Sequence, residues 1–224
     1  RSQSEAREEV DVVIPEGYTC RQIFQLLEDK DVCDVADLED YAANGELDSY
    51  WFLDGVTRGS KYCLEGFLFP DTYRFYTHDD PQRVLEKMLS NFDDRFSDLM
   101  QQRLTALNEH LSSVMAENGH DETYIRDHQL SIRDAVIIAS LAEKEAADIS
   151  ESYTICSVIY NRLNNVGETY HKLQIDASLI YGLGGKYTGT LTSSDLEYNT
   201  PYNLSLYEGL PPTPIANPGL ASIR

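Results

Sequence analysis

Residues Ile132 to Asp148 read IRDAVIIASLAEKEAAD, and the fold is decided there. From Ala135 to Ala142 only Ser140 is polar, so this helix has no solvent face and must be enclosed by other helices. Ser131 is placed to cap it, with Asp134 three residues on to close a reciprocal capping pair. The flanking sequence supplies the neighbours it needs. After it, Ile155, Val158, Ile159 and Leu163 share one stripe. Before it, Asp80-Pro81 opens the longest helical pattern, with proline at the first helical position. Val84, Met88, Phe92, Phe96, Leu99 and Met100 recur there at steps of three and four, which predicts one amphipathic helix or a broken pair running to about Gly119. Further on, Asp176 is placed to cap a short helix that ends at Gly184-Gly185.

The N-terminal part has a different texture. Val10 to Pro15 alternates and is β-branched, which predicts a strand turned by Glu16-Gly17. Thr19 then opens a helix with Gln22 as its capping-box partner and Ile23, Leu26 and Leu27 as its buried stripe. Asp34 is placed to cap a second short helix carrying Leu38, Tyr41 and Ala42 and closed by Asn44-Gly45. The fold class expected is therefore α+β: a small βαα module over residues 10–60, followed by a mainly α-helical domain over residues 61–224.

Charge narrows the function. Eighteen Lys and Arg stand against 38 Asp and Glu, a net charge of −20, which argues against nucleic acid and anionic membrane surfaces, both of which are bound through basic side chains. No apolar run is long enough to span a bilayer. Cys20, Cys33, Cys63 and Cys156 lack the spacing of a zinc site, and His171 has no second ligand nearby, so no metal is expected. No glycine-rich phosphate loop accompanies Lys144 or Lys172, so no cofactor is expected either. Residues 173–224 carry only two basic and four acidic residues, with five of the eight prolines. This nearly neutral, loop-rich tail is suited to displaying a binding site.

Three places can carry chemistry. Glu143 follows the apolar run and continues the face of Val136, Ala139 and Ser140, where a carboxyl withdrawn from water can act as a general acid. Glu145 follows Leu141 and Ala142 at the same spacings, and periodicity alone does not choose between the two. Glu65, within LEGFLFPDTYRF at residues 64–75, is either an acid in aromatic surroundings or a partner for Arg74. In the tail, Gln174, Asp176, Tyr181, Asn199, Tyr202, Asn203 and Asn217 stand on or beside turns, and tyrosines and amides offer sugars both an apolar face and polar tips.

Five segments in order, LEGFLFPDTYRF (64–75), ASLAEKEA (139–146), SVIYNRL (157–163), LQIDASLIYGLG (173–184) and YNLSLYEGLPPTPIANPG (202–219), resemble the signatures of the YceG-like endolytic murein transglycosylases, the MltG family. The resemblance implies a LysM-like module ahead of a lysozyme-like helical catalytic domain. It implies a lytic transglycosylase that cleaves the MurNAc–GlcNAc bond of nascent peptidoglycan strands to leave 1,6-anhydroMurNAc ends. It selects Glu143 over Glu145 as general acid and then base, with Glu65, Gln174, Asp176, Tyr181, Tyr202, Asn203 and Asn217 toward the glycan. Glycan strands and peptidoglycan synthases are the implied partners. The implied location is the outer side of the cell membrane, held by a single-pass anchor that would precede residue 1, and the family pattern also continues past Ile223. The alternative is a non-catalytic peptidoglycan-binding scaffold in which Glu143 merely ends a helix.

Overall fold

The computed structural model describes residues 7–47, 49–96, 98–164 and 171–223. Its class is α+β, mostly helical with a small two-stranded sheet. The chain forms two compact units, one of Arg1–Arg95 with Ala216–Gly219, the other of Phe96–Ile215 with Leu220–Arg224.

In the first unit β1 (Glu9–Val13) pairs antiparallel with β2 (Thr72–Tyr76), Val12 standing opposite Tyr73. Val12, Tyr73 and Phe75 are buried while Val13 and Tyr76 are exposed, the period of two that a half-buried sheet requires. The sequence reading placed β1 but not β2; the alternation in TYRFY was its signal.

Between the strands lie α1 (Cys20–Asp29) and α2 (Val35–Asn44). The Thr19 hydroxyl accepts from the Gln22 N–H and the Gln22 side chain accepts from the Thr19 N–H, so the expected capping box is formed. Ile23 and Leu27 are fully buried as expected, whereas Leu26 is only half-buried and Phe24 takes the third inward place. Asp34 occupies the N-cap of α2, but its side chain makes no capping bond; Glu28 Oε2 accepts from the Val35 N–H at 2.7 Å instead. The next helix, α3 (Pro81–Arg95), packs on α2. Phe92 from it meets Phe52 and Phe67 with ring centroids 4.7 and 5.3 Å away, the aromatic centre of this core. The expected module of residues 10–60 lies inside this unit, which also takes in β2 and α3.

The second unit holds α4 (Asp98–Glu117), α5 (Glu122–Asp127), α6 (Ile132–Glu145), α7 (Ile149–Asn164), α8 (Asp176–Leu183), α9 (Ser193–Leu196) and α10 (Leu220–Ile223). The long amphipathic pattern is thus a broken pair, α3 and α4; the side chain of Leu99 lies outside the described residues. As the sequence demands, α6 is central. Every residue from Val136 to Ala142 is buried, the Ser131–Asp134 capping box is formed, and α4, α7, α8 and α10 pack around it. Ile137, Ile138 and Leu141 share their core with Ile159 of α7 and with Leu173, Ile175, Leu204 and Ile215. Val158, expected on the buried stripe of α7, is exposed, because the inward face is narrower and centres on Ile159. Asp176 lies in the first turn of α8 without capping it; Ile175 holds the cap position.

Among the described residues no helix is long and apolar enough to cross a membrane. All four cysteines are free thiols.

Candidate functional site

The apolar run of α6 fixes what its last turn can present. Seven consecutive buried residues leave no freedom to rotate the helix, so Glu143 emerges where the core ends and is half-buried. Lys144 and Glu145, one and two residues on, are exposed. The ambiguity that periodicity leaves between Glu143 and Glu145 is thereby resolved for burial: only the first lies at the core's edge. Its Oε2 accepts a hydrogen bond from the Ser222 hydroxyl of α10 at 2.6 Å, within the range of a charge-assisted O–H···O bond.

One turn earlier, Ser140 is fully buried and grips the tail from the same face. Its hydroxyl donates to the Ile137 carbonyl at 2.7 Å and accepts from the Ile215 N–H at 3.0 Å. Through Ser140 and Glu143, α6 holds Ile215 and Ser222. Nothing in the sequence pattern marks Ser222; a serine near a loop-rich end is common, and only the return of the chain to α6 gives it a partner.

Gln174, Tyr181, Tyr202 and Asn203 gather around α8 and the loop that follows it. Gln174 is exposed and takes a left-handed backbone conformation (φ 56°), its N–H donating to the Leu204 carbonyl at 3.0 Å. A side-chain-bearing residue held there stores about 1–2 kcal/mol of strain, which surrounding structure must impose. The Tyr181 and Tyr202 rings pack with centroids 5.1 Å apart, and the Tyr202 hydroxyl meets Thr213 Oγ1 at 2.8 Å. Gly182 permits this approach, since a Cβ there would stand 2.7 Å from Tyr202 Cβ. Both tyrosines rest on the core that also holds Ile137, Ile138 and Leu141 of α6. Asp176 is exposed on the first turn of α8.

Asn203 is buried (1% exposed) and works inward. It donates through Nδ2 to the Leu196 and Tyr198 carbonyls and accepts from the Ser205 N–H, so it shapes the loop. Asn199 is reached by the Tyr207 hydroxyl.

Glu65 and Asn217 belong to the other unit, where they bond to each other. Glu65 Oε1 accepts from the Cys20 N–H and from Asn217 Nδ2, both at 2.9 Å. Asn217 Oδ1 accepts from the Gly66 and Leu68 N–H groups, and Nδ2 also donates to the Tyr18 carbonyl. These bonds spend every donor and acceptor of the Asn217 amide on protein groups, and the side chain is fully buried. Arg74, the partner weighed for Glu65 from sequence, pairs with Asp11 across the β1–β2 ladder instead. Burial first, and then the neighbouring Glu65 carboxylate, hold the Cys20 thiol well above its ordinary range, so it is an inert core thiol and not a nucleophile.

A cavity of about 450 Å³ opens at the opposite end of α6, lined by Tyr124, His128, Asp134, Tyr160, His171 and Glu208 among others. Asp134 and Glu143 are nine residues apart, about 13 Å along the helix. None of the anticipated site residues lines that cavity.

The sequence model of the YceG-like family matches residues 1–224. An endolytic murein transglycosylase of Bacillus subtilis (strain 168) is 30% identical over 223 residues, covering 94% of this chain and 54% of the relative. One of Streptococcus pneumoniae serotype 2 (strain D39) is 27% identical over 232 residues, covering 95% and 37%. The crystal structure of a yceG-like protein of Listeria monocytogenes superposes with a TM-score of 0.73 at 28% identity, covering 95% of this chain and 64% of that one. The chain thus spans between about a third and two thirds of the length of these relatives.

Proposed function

Starting from the membership of this chain in the YceG-like family, we propose that it is an endolytic peptidoglycan lytic transglycosylase with Glu143 as its catalytic acid and base. The observation that carries this reading is the place of Glu143: it leaves the buried run Val136–Ala142 at its C-terminal end, half-withdrawn from water and accepting from the Ser222 hydroxyl. The names of its Bacillus and Streptococcus relatives support the same activity.

The reaction needs one protein carboxyl. Glu143 gives its proton to the oxygen linking MurNAc to GlcNAc, and the C1–O bond breaks with the electron pair leaving on that oxygen. The MurNAc acetamido group stabilises C1 from within the substrate. Glu143, now a carboxylate, takes the proton of the MurNAc 6-hydroxyl as O6 bonds to C1, and the 1,6-anhydro end is formed without water. A hydrolase would need a second carboxylate set apart to activate water or to attack.

Glycan contact is assigned to Gln174, Asp176, Tyr181 and Tyr202, a reading supported by the left-handed backbone of the exposed Gln174. Asn203, Asn217 and Glu65 act by holding the loops of their own units that they are bonded into. We assign glycan docking to residues 10–60 as a LysM-like module, supported by the strand β1 followed by the two helices α1 and α2, and catalysis to residues 61–224. Action on nascent strands places the protein at the outer side of the cell membrane, with peptidoglycan synthases as partners.

The test is a digest of uncrosslinked glycan strands. Anhydro-ended fragments of internal length appear with the wild-type chain and vanish with Glu143→Gln. Strands that bind the protein but stay intact with the wild type identify a scaffold instead.

A further inference from the structure

We propose that Ser222 is the positioning residue of Glu143, fixing which carboxyl oxygen handles the proton; this rests on the reading of Glu143 as the acid. The bond is short (2.6 Å), and it joins the last turn of α6 to α10, two helices packed against each other within one unit. A serine hydroxyl has one proton to donate. Given to Oε2, it directs the carboxyl's own proton to Oε1. The same donation suits both halves of the reaction, because Oε2 accepts equally as the carbonyl oxygen of the acid and as part of the carboxylate. The carboxyl therefore keeps one orientation while Oε1 first delivers a proton and then receives one. Such fixed geometry is worth more to the transition state than to the bound substrate, so its loss falls on turnover.

Ser140 makes the arrangement specific. By holding the Ile215 N–H one turn before Glu143, it secures the tail at a second point on the same helical face. The Ser222 hydroxyl is carried by α10, which packs against both α6 and α7, so its aim at Oε2 does not depend on a lone bond.

The experiment uses the full chain with Ser222→Ala, Ser222→Thr and Glu143→Gln, measuring kcat and KM for anhydro-end formation. Ser222→Ala is expected to lower kcat about tenfold while KM stays within about twofold, as for loss of one hydrogen bond to a charged group made in the transition state. Ser222→Thr, which restores the hydroxyl, recovers most of the rate. In parallel, the Glu143 carboxyl ¹³C resonance, assigned by its disappearance in Glu143→Gln, shifts in the alanine variant and returns toward its wild-type position in the threonine variant. A wild-type kcat in Ser222→Ala, a loss confined to KM, or an unmoved carboxyl resonance overturns the proposal. Activity that survives in Glu143→Gln overturns the catalytic assignment itself, whereas a dead Glu143→Gln beside a fully active Ser222→Ala removes only the role of Ser222.

Discussion

In the unit that carries the β1–β2 sheet, Glu65 is 1% exposed and bonded to a main-chain N–H and to the Asn217 amide. In the helical unit, Glu143 is half-buried and receives a hydroxyl proton from α10. Both are glutamates beside an apolar run, and in the sequence they look alike. What separates them is the partner set. Glu65 is enclosed with donors from the start of α1 and from Asn217, both of its own unit, which suits a carboxyl that holds a loop. Glu143 is withdrawn from water on the helix side and held by a hydroxyl, which suits a carboxyl that trades protons.

That contrast breaks most readily at Glu143. Replacing it by Gln should lower the rate of anhydro-end formation by about 10²–10⁴, the usual worth of a positioned general acid. The same variant should melt within a few degrees of wild type, since the amide keeps the shape and still accepts from Ser222; a large fall in melting temperature would instead give Glu143 a structural part. At the other carboxyl the balance should invert. Asn217→Ala leaves the Gly66 and Leu68 N–H groups and the Tyr18 carbonyl without that partner, and denaturant unfolding should show a loss of about 3–5 kcal/mol. Glu65→Gln, which keeps an acceptor for Cys20, should cost about 1–2 kcal/mol. If either were as stable as wild type, the clamp would not be what ties residues 216–219 into that unit.

The two units can also be compared in alkali. Burial raises Tyr160 in the helical unit to about 12, with Cys156 adding to it, and burial followed by Glu86 raises Tyr41 in the other unit to about 12. A folded value above the unfolded one near 10 means the native state keeps its proton longer. The stability each supplies is therefore complete below pH 10 and is lost as pH rises toward 12, by roughly 1 kcal/mol at pH 11 for Tyr160 and by less for Tyr41, which solvent screens. Tyr160→Phe should flatten this alkaline loss by its share, read from urea midpoints at pH 8, 10 and 11. Smallest is the effect of Ser131→Ala, which removes the cap of α6 at the end far from Glu143 and should cost about 1 kcal/mol while activity in the surviving fold stays level.

Much of the architecture is legible from local chemistry. The two reciprocal caps, at Thr19 and at Ser131, follow from residues three apart in sequence, and both formed as the spacing requires. The central burial of α6 follows from its composition alone. The readings that failed depended on distant partners. Asp34 lost its capping role to Glu28, because a carboxylate seven residues away reached the Val35 N–H. Val158 was exposed because α7 meets its neighbours on a narrower face than four apolar positions suggest. The strand β2 depends on a distant partner too, since its pairing with β1 bridges about sixty residues.

The sequence by itself determined where a buried helix had to lie and that a carboxyl had to leave the core at its end, since hydrophobic burial and helical period are properties of neighbouring residues. It also determined, through matching segments in order, the family. Tertiary structure decided which glutamate is enclosed by a clamp and which is held by a hydroxyl at the rim of the core. Hydrogen-bond partners separated by 79 residues, as Glu143 and Ser222 are, or by 152, as Glu65 and Asn217 are, meet only when the chain closes on itself. No local pattern encodes such a meeting, because a hydrogen bond depends on atoms within about 3 Å in space and takes no account of their distance along the chain.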